Sequence, residues 1–230
     1  MVNFGEAIKR PFQDFKKLGI GILVYFVTMI PFIGWLAPFF IAGYGFECAK
    51  TAMKKKYELP EWIDWGNLWI NGFLYFLIGL IYIIPLALIG AFTIGPALIK
   101  NWALVIAPNP DPIALATAFG ETAGVLLLLF LVMITTFYII PMAIMRFAES
   151  GKFGYAFNFR EVFRKAFTSR YFAAFTLLGL YIFAVAIVAS LLSLITATTV
   201  ILPLIITTVL GFVITVTSMT VFGEVYSEIK

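Results

Sequence analysis

Long stretches without charged side chains dominate the chain. Residues 18–46, 65–99, 122–145 and 171–223 contain no Asp, Glu, Lys or Arg. One crossing of the hydrocarbon core of a bilayer needs about 20 apolar helical residues, and each stretch is longer than that. The pattern therefore predicts an all-α protein that forms a polytopic transmembrane helical bundle.

The first charge-free stretch determines how often the chain crosses the bilayer. Pro31 and Gly34 favour a turn, which divides residues 12–52 into two arms. With this hairpin, fifteen of the sixteen Lys and Arg residues share one side of the membrane, and Lys100 alone lies on the other. Without the hairpin, five Lys and Arg residues would lie on one side of the membrane and eleven on the other. Because basic residues accumulate in cytoplasmic loops, we predict the hairpin and place both termini inside.

The predicted topology has six spans in a single transmembrane domain, residues 1–230. The last charge-free stretch divides near Thr196–Thr199 into two spans. The tryptophans agree with this topology, because Trp favours membrane interfaces and none falls at the middle of a span. The predicted spans are residues 12–30, 35–52, 69–92, 121–145, 171–194 and 200–222.

Three segments on the predicted cytoplasmic side are amphipathic. They lie around residues 4–17, 61–73 and 159–167. In each, aromatic and aliphatic residues share one helical face and charged or polar residues occupy the others. Such interfacial helices lie in the headgroup plane of a membrane. They either bind lipids or partner proteins, or simply lead the chain into the next span.

The composition excludes several classes of protein. The chain is 62% hydrophobic and 12% charged, whereas a soluble domain has about a quarter of its residues charged. It has no His and a single cysteine, Cys48, which removes the commonest general base and excludes an intramolecular disulfide. We therefore predict no enzyme activity, no cofactor and no metal.

The net charge of +4 is explained by the basic residues that set membrane topology, and we predict no binding of nucleic acid. The single glutamine, Gln13, favours a thermophilic source.

A short motif lies between the second and third predicted spans. Residues 59–66 read LPEWIDWG, Gly72 follows, and residues 156–162 read AFNFREV. With these segments the chain resembles a family of prokaryotic, mainly archaeal, multi-pass membrane proteins known as domain of unknown function 4013. Ile63 stands where the family pattern has a polar residue. The resemblance implies a membrane protein and assigns no catalytic or binding residue.

Few polar residues fall within the predicted spans. Glu47 lies about one turn inside the second span, and Lys50 is close enough to pair with it. This pair is a candidate membrane polar site for a cation or proton, or else an interfacial carboxylate that extends towards water. Thr207, Gly211 and Thr215 repeat at small-xxx-small spacing in the sixth span. They predict either close helix packing or a hydroxyl-lined pore face.

Charged residues near the cytoplasmic ends of the spans form a second group of candidates. Glu121 and Glu224 are expected to reach the interface. Glu61 and Asp64 lie at the same predicted depth as Arg160 and Arg164, so we predict a cytoplasmic clamp between these pairs. Candidate contacts with anionic lipid headgroups are Lys54, Lys55, Lys56, Arg160, Arg164 and Lys165. The alternative for the basic residues is a role in topology only.

Two functions stay open from the sequence. A channel or transporter, formed by a homo-oligomer, fits six spans without a soluble domain and is slightly favoured. A non-catalytic membrane scaffold or lipid-interacting protein fits the amphipathic segments and the scarcity of polar groups in the spans. Both place the protein in the cell membrane, in contact with the bilayer and its anionic lipids. A continuous polar cavity would favour transport, and a dry core would favour the scaffold.

Overall fold

Helices form all the regular structure that the computed structural model describes, which covers residues 2–109, 111–120, 123–195, 199 and 201–229. This confirms the predicted all-α class. The helices are α1 (Phe4–Lys9), α2 (Phe15–Val27), α3 (Ala37–Met53), α4 (Trp65–Thr93), α5 (Gly95–Lys100), α6 (Trp102–Val105), α7 (Pro112–Gly120), α8 (Ala123–Ser150), α9 (Phe159–Ala166), α10 (Ser169–Ile195) and α11 (Ile201–Glu228). Short 3₁₀ turns cover Arg10–Phe12 and Phe153–Phe157.

Four of the described helices, α4, α8, α10 and α11, are long and apolar enough to cross a membrane. Each has 27 to 29 residues, which is about 40 Å of helix. They coincide with the last four predicted spans. Glu121 and residue 200, where two of those spans were predicted to begin, lie outside the described residues, as do residues 196–198 of the predicted break.

The first two predicted spans correspond to shorter helices. The turn around Pro31 and Gly34 lies where the sequence predicts it, and Pro38 lies in the first turn of α3, as its fixed φ favours. However, α2 has 13 residues and α3 has 17, which gives only about 20 and 26 Å of helix. The hydrocarbon core is about 30 Å thick. The count of six spans and the inside location of both termini therefore stay predictions.

The chain divides into two compact units. Unit 1 comprises residues 1–78 and 141–230, and unit 2 comprises residues 79–140. The single domain predicted from the sequence spans both units and stays a prediction.

Unit 1 has a well-packed core in which α11 contacts α1, α2, α3 and α10. Large side chains such as Tyr44, Phe212 and Tyr226 are completely or almost completely buried there. Glycine permits two very close approaches of α3 to its neighbours. A Cβ atom at Gly72 would overlap the backbone of α3, and one at Gly223 would overlap the carbonyl of Ala49. Backbone packing of this kind is typical of membrane helices.

Unit 2 contains α5, α6 and α7 with the adjoining parts of α4 and α8. Among its described side chains only Leu129 and Ile139 are buried. Pro112 begins α7, where its fixed φ favours a helix start. Within this unit, apolar side chains are mostly exposed.

The three predicted amphipathic segments have different outcomes. The third forms a helix, α9, which Asn158 caps through the N–H of Glu161, and its phenylalanines are exposed along one face. The first is a short helix followed by a 3₁₀ turn, and its Arg10 is buried rather than on a polar surface. In the second, the helix begins only at Trp65, and Trp62 is buried in the segment before it.

Candidate functional site

Six helix ends of unit 1 lie together. Hydrogen bonds join the beginnings of α2 and α10, the ends of α3, α8 and α11 and the 54–64 segment, and the beginning of α4 borders a cleft together with the ends of α3 and α8. We call this region the basic end of unit 1. Its basic side chains are Arg10, Lys17, Lys50, Lys54, Arg146, Lys165 and Arg170.

The LPEWIDWG motif, residues 59–66, is folded against the basic end. The indole ring of Trp62 is stacked on Tyr44, with 3.9 Å between ring centroids, and its Nε1 donates to the carbonyl of Lys17 at 3.0 Å. The Tyr44 hydroxyl donates to the carbonyl of Pro60 at 3.0 Å. Asp64 has a φ of 55° and accepts from the N–H of Asn67, so it caps the beginning of α4. The motif therefore joins α2 and α3 to the first turn of α4.

Arg10 is the most deeply buried cation of this end. Its side chain has 0% exposure. The guanidinium donates to the carbonyl of Cys48 at 2.8 Å, to the carbonyl of Glu58 at 2.9 Å, and to the hydroxyls of Thr220 and Thr51 at 2.9 and 2.5 Å. One side chain thus links the N-terminal segment, α3, the 54–64 segment and α11. Sequence reasoning missed this role, because a basic residue in an amphipathic segment is usually exposed.

Glu224 is a buried carboxylate of the same region. It is 2% exposed, which corrects the prediction that it reaches the interface. Its Oε1 accepts from the N–H of Asn3 at 3.0 Å. Burial, followed by the interaction with the nearby Glu224 carboxylate, raises the pKa of Tyr57 to about 12. Glu224 therefore fastens the N-terminal segment to α11.

Lys165 also differs from its predicted role. It is 8% exposed, so it is not a headgroup contact on the surface of α9. Its Nζ donates to the carbonyls of Tyr226 and Ile229, at 3.1 and 2.5 Å, and lies 4.0 Å from the centroid of the Tyr226 ring. A cation at the last carbonyls of a helix is favourable. Desolvation lowers the pKa of Lys165.

The other predicted headgroup contacts lie at the surface. Lys54, Lys55, Lys56, Arg160 and Arg164 are exposed, and Lys55 adopts a φ of 56° in the turn after α3. Their exposure suits a contact with anionic headgroups, which stays a prediction.

The predicted clamp between Glu61 or Asp64 and Arg160 or Arg164 is wrong for this structure. Glu61 pairs with Lys17 at 2.6 Å, and Arg164 pairs with Glu161 of its own helix at 2.7 Å. Asp64 bonds to the side chain and N–H of Asn67. Glu61, Asp64 and Arg164 therefore each have a partner in their own element or on α2, and no ion pair joins Arg160 to Glu61 or Asp64 among the described residues.

The Glu47–Lys50 pair forms as predicted, with 2.8 Å between Oε1 and Nζ. It borders an open cleft of about 500 Å³ at the basic end. Glu61, Asp64 and Asn67 line the polar part of this cleft, and the apolar part includes Phe46, Leu68 and Phe147. Among the described residues, no group of three Asp, Glu, Cys or His side chains is placed to hold a metal ion.

The three residues of the predicted pore or packing face of the last span have different surroundings: Thr207 is exposed, Gly211 is packed and Thr215 borders a pocket. The hydroxyls of Thr207 and Thr215 each donate to the carbonyl four residues before them, at 2.8 and 2.9 Å. Gly211 faces α2, where a Cβ atom would overlap the ring of Tyr25. The contact is with a side chain rather than with a backbone. Close backbone approaches between helices occur at Gly43, Gly72 and Gly223 instead.

Comparison with known families now identifies the group to which the chain is related. A family model described as "Protein of unknown function (DUF4013)" matches residues 23–194. The chain belongs to this family. The matched region contains the LPEWIDWG motif and the Glu47–Lys50 pair, whereas Arg10 and Glu224 lie outside it. No curated protein and no solved structure matches the chain.

Proposed function

We propose that this protein is a multi-pass protein of the cell membrane that acts as a non-catalytic, lipid-interacting scaffold. The observation that carries the proposal is the distribution of buried polar groups. Arg10, Lys165 and Glu224 are all at the basic end, where they connect helix ends to one another. Such a layer holds a folded surface at the membrane interface, where headgroups and partner proteins are in reach.

The central parts of the membrane-length helices lack the charged groups that ion-coupled transport needs. Residues 65–99, 122–145 and 171–223 contain no charged side chain, and charges at depth usually mark ion and proton paths. Most of the hydroxyl groups described in these helices donate to their own helix, at Thr93, Thr135, Thr136, Ser190, Thr207, Thr208, Thr215 and Thr220. Exceptions include the buried hydroxyls of Thr217 and Ser218 in α11, which have no hydrogen-bond partner among the described residues. Interior packing is thus favoured over a polar path.

Enrichment of anionic lipid around the purified protein tests the proposal. The protein is extracted in a lipid-preserving polymer from membranes that contain phosphatidylcholine and phosphatidylglycerol, and the retained lipids are quantified. We expect phosphatidylglycerol to be enriched, and the triple variant Lys54→Gln, Lys55→Gln, Lys56→Gln to reduce this enrichment. Retention of the bulk lipid ratio by the parent protein would contradict a lipid-interacting role.

A channel or transporter is the second candidate, and one cavity favours it. A pocket of about 280 Å³ lies among α2, α3, α4 and α11 of unit 1. Four residues that carry hydroxyl groups are among those that line it, namely Tyr25, Thr28, Tyr75 and Thr215. A path through this pocket would require a homo-oligomer to complete it. Flux of ions or small solutes into liposomes that contain the protein, reduced by Thr215→Val, would support this function over the scaffold.

A further inference from the structure

The turn between α2 and α3 exposes large apolar side chains. We call this turn, residues 28–36, the hairpin tip. Phe32 is 95% exposed and adopts a φ of 67°, which bulky residues rarely do. Trp35 and Ile33 are 67% and 59% exposed, and residues 18–46 contain no charged side chain. Exposed apolar clusters mark contacts with membranes or with other proteins, so the tip is expected to lie against an apolar partner.

The backbone of the hairpin tip is bonded mainly within the turn. Pro31 has no N–H group. Six of the other eight residues donate to a carbonyl two to four residues earlier, namely Thr28, Met29, Ile30, Ile33, Gly34 and Leu36. The hydroxyl of Thr28 also donates to the carbonyl of Tyr25, at 2.6 Å. Unpaired backbone groups are costly in hydrocarbon, so a turn that satisfies most of its own donors is suited to lipid.

Contacts between α3 and α11 show how far the hairpin extends along its neighbour. A Cβ atom at Gly223 would overlap the carbonyl of Ala49, and one at Gly45 would contact the side chain of Met219. From one pair to the other both helices advance by four residues, so they run parallel and in register. Extended to the beginning of α3, the same register ends close to the level of Gly211.

The contact of α2 with α11 leads to the same level. Gly211 faces Tyr25, which lies in the last turn of α2. Ten residues of α11 precede Gly211, from Ile201 onwards, and they correspond to about 15 Å of helix. Both arms of the hairpin therefore end well before α11 reaches its other end.

The register between α3 and α4 agrees with this depth. A Cβ atom at Gly43 would overlap the carbonyl of Leu68, and one at Gly72 would overlap the carbonyl of Phe39. These helices run antiparallel, because the contact moves forward by four residues on α4 as it moves back by four on α3. The beginning of α3 thus lies close to the level of Leu74, which is only the tenth of the 29 residues of α4.

We propose that α2 and α3 form a re-entrant hairpin, which enters and leaves the membrane at the basic end and turns within the hydrocarbon core, where acyl chains surround the hairpin tip. The arms, about 20 and 26 Å long, are shorter than the core of about 30 Å. A complete crossing would instead place Trp35 at the opposite interface and the tip within reach of water. This topology does not depend on the proposed scaffold function.

Spin-label accessibility in liposomes tests the environment of the hairpin tip. Ile33→Cys is labelled in the full chain with Cys48→Ala, and its collisions with oxygen, which concentrates in hydrocarbon, are compared with those with a water-soluble nickel chelate. Phe183→Cys, at an exposed position in the middle of α10, is the control for lipid, and Lys54→Cys is the control for water. We expect the label at position 33 to behave like that at position 183. Nickel collisions as frequent as at position 54 would overturn the proposal, and so would protection from both reagents, which would indicate a covering protein or second copy.

Thiol labelling gives a second measurement that needs no spin label. Ile63→Cys is a matched control, because Ile63 is an isoleucine 69% exposed at the basic end. A membrane-impermeant maleimide is added to either side of a sealed membrane. We expect it to label position 63 from one side, and position 33 from neither side until detergent is added. Labelling of position 33 from the side opposite to position 63 would show a complete crossing and overturn the re-entrant hairpin.

Discussion

Unit 1 and unit 2 both contain parts of long apolar helices, yet the side chains of the two units have very different surroundings. In unit 1, rings such as Tyr44 and Phe212 are buried against other helices. In the described part of unit 2, only Leu129 and Ile139 are buried. A long apolar helix satisfies its own backbone and is stable in lipid without neighbours. Short helices such as α2 and α3 need tertiary contacts, and these are found in unit 1.

This contrast predicts that substitutions at the basic end of unit 1 have the largest effects on stability. Arg10→Ala removes the donor to two buried carbonyls and two hydroxyls, and each unsatisfied buried acceptor costs about 1–3 kcal/mol. We expect the free energy of unfolding to fall by about 3 kcal/mol or more. Unfolding in a detergent titration measures it, with the exposed Arg160→Ala as the control. Equal, small effects of both variants would show that the buried position of Arg10 is not important for stability.

Two glycines on the same helix give a matched comparison of the units. Gly72 belongs to unit 1, where an added Cβ atom would overlap the carbonyl of Phe39, and Gly79 belongs to unit 2, with nothing within 4 Å. Gly72→Ala should lower the free energy of unfolding by about 2 kcal/mol because the helices must separate. Gly79→Ala should leave it unchanged or raise it by a few tenths. Thermal unfolding of the two variants side by side measures the difference. Similar melting temperatures for both would remove the distinction between the units.

A smaller effect on the free energy of unfolding is expected from the ionisation of Tyr57 in alkaline solution. Its pKa is raised from 10.0 to about 12, so the neutral phenol is favoured in the folded state. This contribution to stability is complete below about pH 10 and is lost as the pH rises through about 12. Tyr57→Phe should therefore lose less stability than the parent between these pH values. Unfolding followed at pH 9 and pH 11.5 compares the two proteins, and parallel losses would contradict a role for the Tyr57 proton.

The smallest effect concerns the exposed carboxylate of Glu61. Its side chain is 64% exposed, so the coupling between Glu61 and Lys17 should be about 0.5 kcal/mol after screening. A double-mutant cycle with Glu61→Gln and Lys17→Met measures this coupling. The matching cycle with Glu61→Gln and Arg164→Gln should show no coupling, because these two residues have other partners. Coupling in the second cycle that exceeds the first would restore the predicted clamp.

Part of the candidate site follows from local sequence. Glu47 and Lys50 pair because residues three apart share a helix face, and α9 forms where aromatic and basic residues alternate at helical spacing. The clamp failed because it required the relative positions of distant residues. Glu61 has Lys17 within reach, while Arg164 has Glu161 one turn away. Equal depth in the membrane and opposite charge are insufficient to select a partner.

By itself the sequence determined the helical class, the four membrane-length helices, the position of the turn near Pro31 and the membership of the family that its LPEWIDWG motif indicates. Charge-free length and turn chemistry are properties of neighbouring residues, so they can be read along the chain. Only the tertiary structure decided that Arg10, Lys165 and Glu224 are buried and that α2 and α3 are short. A hairpin such as that of α2 and α3 returns to the side of the membrane from which it starts, whether it crosses the bilayer fully or only in part. The number of basic residues on each side is therefore the same in both cases and cannot reveal the length of the two helices.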